Sequence, residues 1–227
     1  MVVQKQESVK LPPLENGDRL TRDEFERRYQ AMPSVKKAEL IEGKVYMPSP
    51  VRAAKHGRPH AQIITWLGFY CVATPGTDLI DNGTTRIDLD NEPQPDALLR
   101  IDNVGTSYIS DDDYVEGAPE LIVEIAASSA SYDLHEKLNV YRRNGVQEYI
   151  VWQTFDKKLN WFKLRGQEYV TLEPDADGAI KSEVFPGLWL AADALIEGNL
   201  AEVLAVLQKG LNTTEHTAFI NQLSQQK

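Results

Sequence analysis

Residues 119–127, PELIVEIAA, restrict the fold more than any other stretch of this chain. Leu121, Ile122, Val123, Ile125 and Ala126 run almost without interruption, and the one charge among them is Glu124. A strand with one wet face alternates apolar and polar residues. A strand that is apolar throughout is covered on both faces, as in the interior of an α/β sheet. The following segment, SSASYDLHEKLNVYRRNG (128–145), reads as a helix with a serine-rich entry and a glycine C-cap at Gly145.

The flanking segments supply the rest of such a sheet. Thr21 and Glu24 have the spacing of a capping box, with Leu20 and Phe25 placed to staple it, so a helix is predicted to about Met32. AELIEGKVYMPSP (38–50) predicts two strands turning at Glu42-Gly43, and residues 59–73 a helix with one buried face that includes Cys71. Short strands or a hairpin are expected across 78–90 around Asn82-Gly83, and PDALLRID (95–102) is the next strand. GTSYISDDDYVEG reads as a surface excursion whose Asp111–Asp113 run is solvated, lacking calcium-loop spacing. Three more strands, VQEYIVWQ, KLNWFKL and QEYVTLE, precede two short helices near 191–197 and 199–209. Residues 1–17 read as a flexible arm, 18–211 as one α/β domain with a central mixed sheet flanked by helices, and 212–227 as a polar, mobile tail.

Composition removes several classes of function. The single Cys71 excludes an internal disulfide framework and a cysteine-based zinc cluster. No apolar run reaches the roughly 18 residues of a membrane span, and the N-terminus has no apolar signal core, so a cytoplasmic protein is expected. No phosphate-binding G-x-x-x-x-G-K-[ST] loop occurs, and no separate DNA-reading module is evident. A net charge of −10 argues against a strong general nucleic-acid binder.

Charged positions at strand starts and in the buried run carry the chemistry. Glu124 shares a strand face with Ile122 and Ala126, where a carboxylate is costly unless it is paired or binds a cation. A salt bridge to a neighbouring strand would also satisfy it. Asp96 follows Pro95 at the start of ALLRI, as a site residue or as the turn residue of a Pro-Asp pair. Lys137 either reaches the carboxylates from the helix or pairs with Asp133 at i, i+4 on a solvated face. Glu39 opens the first strand pair, as a ligand or as an edge-strand charge, and Glu42 serves the turn.

Strand with Pro-Asp, strand with embedded Glu, then helix with Lys resembles the PD-(D/E)xK nuclease superfamily, and more closely its Uma-type branch of restriction-endonuclease-like domains. The matching segments are AELIEGKVYMPSP, HAQIITWL, RIDLDNEPQPDALL, PELIVEIAASSASYDLHEKLNVYRRNGVQEYIVW and FPGLWL, spread over about 20–196. One departure is plain: the superfamily lysine belongs two residues after the glutamate, where this chain has Ala126. Lys137 resembles a migrated replacement. The resemblance implies a restriction-endonuclease-like fold, a homodimer and a metal-dependent endonuclease acting on DNA.

On that reading Asp96 and Glu124 hold Mg²⁺ or Mn²⁺, with the Ile125 carbonyl as a third donor and Glu39 as a further ligand. Lys137 orients the water or stabilises the phosphoryl charge. His60, at the family's histidine position, reaches the scissile phosphate or a carboxylate, or else makes local hydrogen bonds at the helix entry; Tyr141 contacts a phosphate, or else packs in the core. Ser128 caps the helix or enters the site, and Gln153 lines it. The segment from Gly43 to Thr77 has no acidic residue and carries Lys44, Arg52, Lys55 and Arg58 beside His56 and His60. Lys55 and Arg58 are therefore expected along a phosphate-tracking edge, or in a solvated loop, with weak, salt-sensitive DNA affinity. Two other readings stand beside the DNA nuclease: a hydrolase of another phosphoester, and a catalytically silent module of the same fold used in binding or assembly.

Overall fold

The computed structural model describes residues 11–47, 52–127 and 130–225 of the chain. Helix α1 (Arg22–Gln30) precedes the hairpin of β1 (Glu39–Ile41) and β2 (Lys44–Tyr46). Its turn residues Glu42 and Gly43 have φ of 52° and 67°, the positive pair that a type I′ turn requires. A π-helical turn (Ala53–Gly57) runs straight into α2 (Arg58–Ala73). The strands that follow are β3 (Thr77–Asp81), β4 (Thr85–Arg86), β5 (Ala97–Ile101), β6 (Ser107–Ile109), β7 (Val115–Gly117) and β8 (Leu121–Ala126). Next comes a helical crossover: α3 (Ala130–Tyr132), a second π-helical turn (Asp133–Lys137) and α4 (Leu138–Arg143). The remaining elements are β9 (Glu148–Gln153), β10 (Lys158–Arg165), β11 (Glu168–Thr171), β12 (Ala179–Lys181), β13 (Trp189–Ala191), α5 (Ala192–Glu197), α6 (Leu200–Leu211) and α7 (Thr214–Gln225).

The central sheet has six strands in the order β11-β10-β9-β8-β5-β3. Only β8 and β9 pair in parallel, and the helical crossover joins them. Strand β8 is buried at every position, as its composition predicts. Its alternation sorts two cores. Leu121, Val123 and Ile125 face α2, α6 and α7, while Ile122 and Ala126 face Val140 and Tyr141 of α4. Glu124 projects on the second side, beneath the crossover helix. Leu14, Phe25, Leu40 and Val45 form a smaller cluster that fastens α1 to the first hairpin.

Some local expectations are corrected. Thr21 makes no side-chain cap bond. The Glu24 carboxylate instead accepts from Arg27 (2.7 and 2.9 Å) and Arg28 (2.6 Å), charge-assisted bonds stronger than a backbone cap. Residues 212–227 were expected to be a polar tail, but residues 214–225 form α7. Its His216, Phe219 and Leu223, at helical spacing, are buried against α2 and its surroundings. The expected arm also packs in part: Leu14 is buried, and Gly17 donates to the Val45 carbonyl at 2.8 Å. Strands β3 and β4 flank Asn82-Gly83 without pairing to each other; β3 pairs with β5 and β4 with β7. The acidic excursion is folded as the β6–β7 pair, with Asp112 and Glu116 bound to the buried Arg86. Ser128 lies outside the described residues.

Candidate active site

Strand pairing brings the two key carboxylates together. The antiparallel register of β5 on β8 pairs Ala97 with Val123, so the next position sets Asp96 facing Glu124. Ladder bonding does not continue through backbone there. Asp96 Oδ2 instead accepts the Ile125 amide N–H at 2.7 Å. The hairpin adds Glu39 at the first position of β1, fixed by the Gln94 amide, which donates to Glu39 Oε1 at 2.8 Å.

Lys137 then comes down from the crossover helix. Its Nζ lies 2.8 Å from Glu39 Oε1 and 2.8 Å from Glu124 Oε1, and 4.0 Å from Asp133 Oδ1. Tyr141, one turn further on, donates its hydroxyl to Glu124 Oε1 at 2.8 Å. The reason lies in the packing: Val140 and Tyr141 anchor this helix over the even-numbered face of β8, the face that carries Glu124. The lysine is 2% exposed, so a solvated i, i+4 pair with Asp133 is not what forms. The partner of Glu124 comes from a helix, not from a neighbouring strand.

Burial drives the titration. It pushes the Glu124 carboxyl up to about 8; Lys137 opposes the rise, while Asp133, Asp96 and Glu39 add to it. Burial alone would depress Lys137, but Glu124, Glu39 and Asp133 outweigh it and hold the ammonium well above its ordinary range. Asp96 moves the other way. Burial raises it, yet the His56 hydrogen bond, Lys37 and the Ile125 N–H together hold it below the usual carboxylate range. Two neighbouring carboxyls with opposite shifts can divide acid–base roles. Burial, together with Glu124 and Glu39, keeps Tyr141 protonated as a donor.

A second buried carboxylate shows what a purely structural one looks like. Glu148, on β9, accepts from Trp161 Nε1, the Ser182 hydroxyl and the amides of Glu183 and Val184. These four donors are neutral and fasten the chain around Ser182. Glu124 relies on a cation.

The residues marked in the sequence divide accordingly. Asp96, Glu124, Glu39, Lys137 and Tyr141 converge. His60 lies on the Asp96 side: its Nε2 is 2.8 Å from the Asp96 carbonyl and 2.9 Å from Asp81 Oδ1, so it binds the backbone of the site and an exposed carboxylate. Ile125 meets Asp96 through its N–H, and its side chain faces the opposite core. Arg58 is exposed, and Lys55 lies with its Nζ 5.2 Å from the Phe155 ring centroid. Gln153 bonds Asn160 across the hairpin.

Two residues facing Asp96 were not assigned from the sequence. His56 Nε2 is 3.1 Å from Asp96 Oδ1, and Lys37 Nζ is 3.9 Å from the same atom. A helix read from residue 59 leaves His56 outside. The π-helical turn extends that helix backwards and brings the His56 ring within 5.9 Å of the His60 ring, the two tilted by 41°. Helix turns of this type are frequent at functional sites, and here one carries His56 and the other Lys137.

Hard carboxylate oxygens suit Mg²⁺ or Mn²⁺. Glu39, Glu124 and Asp133 face the buried Lys137 ammonium, while Asp96 faces His56 and Lys37, so four carboxyl groups lie in one region served by few cations. Among the described residues, no three His, Cys, Asp or Glu side chains are already gathered as a metal cage. Lys137 stands between Glu39 and Glu124.

A mixed sheet whose inner strand carries a carboxylate, faced by Asp96 and crossed by a lysine-bearing helix, defines a restriction-endonuclease-like α/β protein. The chain belongs to the Uma2 family, described as "Putative restriction endonuclease", whose model matches residues 22–193. A crystal structure described as a "putative nuclease belonging to DUF820", from Anabaena variabilis, shares the fold. Its TM-score is 0.54 at 13% identity, covering 80% of this chain and 97% of that one. Among curated proteins none matches. Among the described residues no helix is long and apolar enough to cross a membrane.

Proposed function

We propose that this chain is a Mg²⁺- or Mn²⁺-dependent endonuclease that hydrolyses phosphodiester bonds in DNA. The observation that carries this reading is the single ammonium of Lys137 at 2.8 Å from both Glu124 and Glu39, buried beside Asp96. Asp96 and Glu124 would hold the ion, with Glu39 and the Ile125 carbonyl as further donors. When bound, such an ion neutralises phosphoryl charge and lowers the pKa of a coordinated water. Lys137 supplies positive charge where the phosphoryl group gains negative charge, or orients the water. Tyr141 holds Glu124 in place by its hydroxyl bond. His56 and Lys37 keep Asp96 ionised. Lys55 and Arg58 meet the phosphate backbone, giving weak and salt-sensitive affinity. A two-fold dimer suits cutting of both strands of a duplex, and sedimentation of the purified chain checks it.

Plasmid cleavage is the test. Nicking or linearisation of plasmid, or cutting of single-stranded circles, is expected with Mg²⁺ or Mn²⁺, none with EDTA, and none for Asp96→Asn or Glu124→Gln. A wild-type protein inert with every divalent metal and every DNA form would remove the nuclease reading. Calorimetry gives a second measure. A divalent ion at ten times its Kd stabilises the folded chain by about 1.4 kcal/mol, roughly 3–5 °C in Tm for a chain of this size. Asp96→Asn should abolish the shift.

One observation favours the silent module: Lys137 already neutralises Glu39 and Glu124 in a closed ion pair. That reading expects no cutting and no Tm shift at millimolar Mg²⁺.

A further inference from the structure

At the end of β9 the chain turns through residues 154–157 into β10, and the turn carries an aromatic ring in the open. Phe155 is 49% exposed. The turn is joined to the site: Thr154 Oγ1 donates to the Lys55 carbonyl at 2.7 Å, and the Thr154 amide donates to the Ala126 carbonyl at the end of β8. Lys55 belongs to the same π-helical turn as His56, which touches Asp96. The turn that carries Phe155 is therefore tied both to the end of β8, the strand of Glu124, and to the helical turn whose His56 touches Asp96.

One cation lies over the ring and others are close in sequence. Lys55 Nζ is 5.2 Å from its centroid, and Lys157 and Lys158 are exposed just beyond it, with Asp156 the one carboxylate of the turn. Lys157 holds a φ of 51°, which tightens the turn. Arg52 and Arg58, both exposed, flank the π-helical turn that supplies Lys55. A half-exposed aromatic among lysines and arginines is the composition of a single-strand platform. The ring stacks on a base, the cations take the adjoining phosphates, and no base edge is read.

We propose that Phe155 stacks on an unpaired nucleobase of single-stranded DNA, with Lys55 and Lys157 on the neighbouring phosphates, and so feeds a single-stranded segment to the carboxylate site. This names the substrate class of the same site and rests on the nuclease reading for its purpose, but its test needs no cleavage. A base in a duplex is stacked on its neighbours and presents no free face to Phe155, so the platform discriminates single strands from duplex.

The experiment measures fluorescence anisotropy of labelled dT20, rU20 and a 20-base-pair duplex with the full chain, in EDTA and low salt. Wild type is expected to bind dT20 more tightly than the duplex. Phe155→Ala should weaken dT20 binding about five- to tenfold or more and leave duplex binding unchanged, while Phe155→Trp should restore it. Lys55→Ala should lower the slope of log affinity against log salt by about 0.7. Equal dT20 affinity in wild type and Phe155→Ala, or no binding of dT20 at all, overturns the proposal. Tighter binding of rU20 than of dT20 overturns the assignment to DNA. A chain that binds dT20 through Phe155 but cuts nothing would sink the nuclease reading and leave the platform standing.

Discussion

Lys137→Met should lower the unfolding free energy by about 3–5 kcal/mol, a fall in Tm of roughly 10 °C, and abolish cleavage. Methionine nearly preserves the side-chain volume while removing the charge and the two hydrogen bonds that the ammonium donates. Glu124 and Glu39, each 2.8 Å from the ammonium, would then be buried without a cation, next to Asp133 and Asp96. The variant's carboxyls would take up protons on folding, so its deficit should be smallest near pH 5 and largest above pH 8. Urea unfolding in EDTA across that range measures it. A divalent ion should raise the Tm of the variant more than that of wild type, because its charge replaces the one removed. A variant with wild-type stability at pH 8 would show that Lys137 does not hold these carboxylates.

Glu92→Gln is expected to do the reverse and stabilise the protein at alkaline pH. Glu92 is 1% exposed and its Oε2 has no hydrogen-bond partner. Burial and then Glu26 push its carboxyl up to about 8 against the pull of Arg86 and Arg22. Since the unfolded value is near 4.5, the folded chain binds the extra proton between about 4.5 and 8. Stability contributed by Glu92 is therefore complete below that window and lost as pH rises through it. Glutamine keeps a neutral donor at every pH. The variant should match wild type at pH 5 and exceed it at pH 8.5 by about 2–4 kcal/mol, or roughly 5–10 °C in Tm. A difference independent of pH would refute the assignment. The consequence reaches the site, because the Glu92 backbone exchanges bonds of 2.7 and 3.1 Å with Leu40, the residue after Glu39.

What the sequence made legible follows the strength of each local signal. Burial of β8 on both faces was readable because five of its six residues are apolar, and Glu124 was conspicuous for the same reason. The convergence of Lys137 with Glu124 and Glu39 was anticipated as a possibility of reach; the packing of Val140 and Tyr141 supplies the reason it occurs. His56 and Lys37 were not legible as partners of Asp96. Their placement depends on a π-helical turn and on a loop held by the Gln94 carbonyl, which accepts from Lys37 at 2.8 Å. Neither leaves a periodic trace. Helix α7 was hidden by composition: three buried side chains among threonine, asparagine and glutamine read as a tail until Tyr70 of α2 and Phe185, between β12 and β13, offer them a surface. The Arg86 cluster was missed because its partners lie on two segments far apart in the chain, Glu26 on α1 and Asp112 and Glu116 in the β6–β7 pair.

The crossover helix has an evolutionary consequence. A lysine two residues after the glutamate must stay on that strand, whereas Lys137 is delivered by a separate element that rests on the same face. If Lys137 acts as proposed, what has to be kept is the position of one ammonium in space, and several backbone addresses can supply it. A motif that demands a lysine two residues after the glutamate passes over such an arrangement. A search for a cation within hydrogen-bond reach of a buried strand carboxylate, whatever its place in the sequence, will find it.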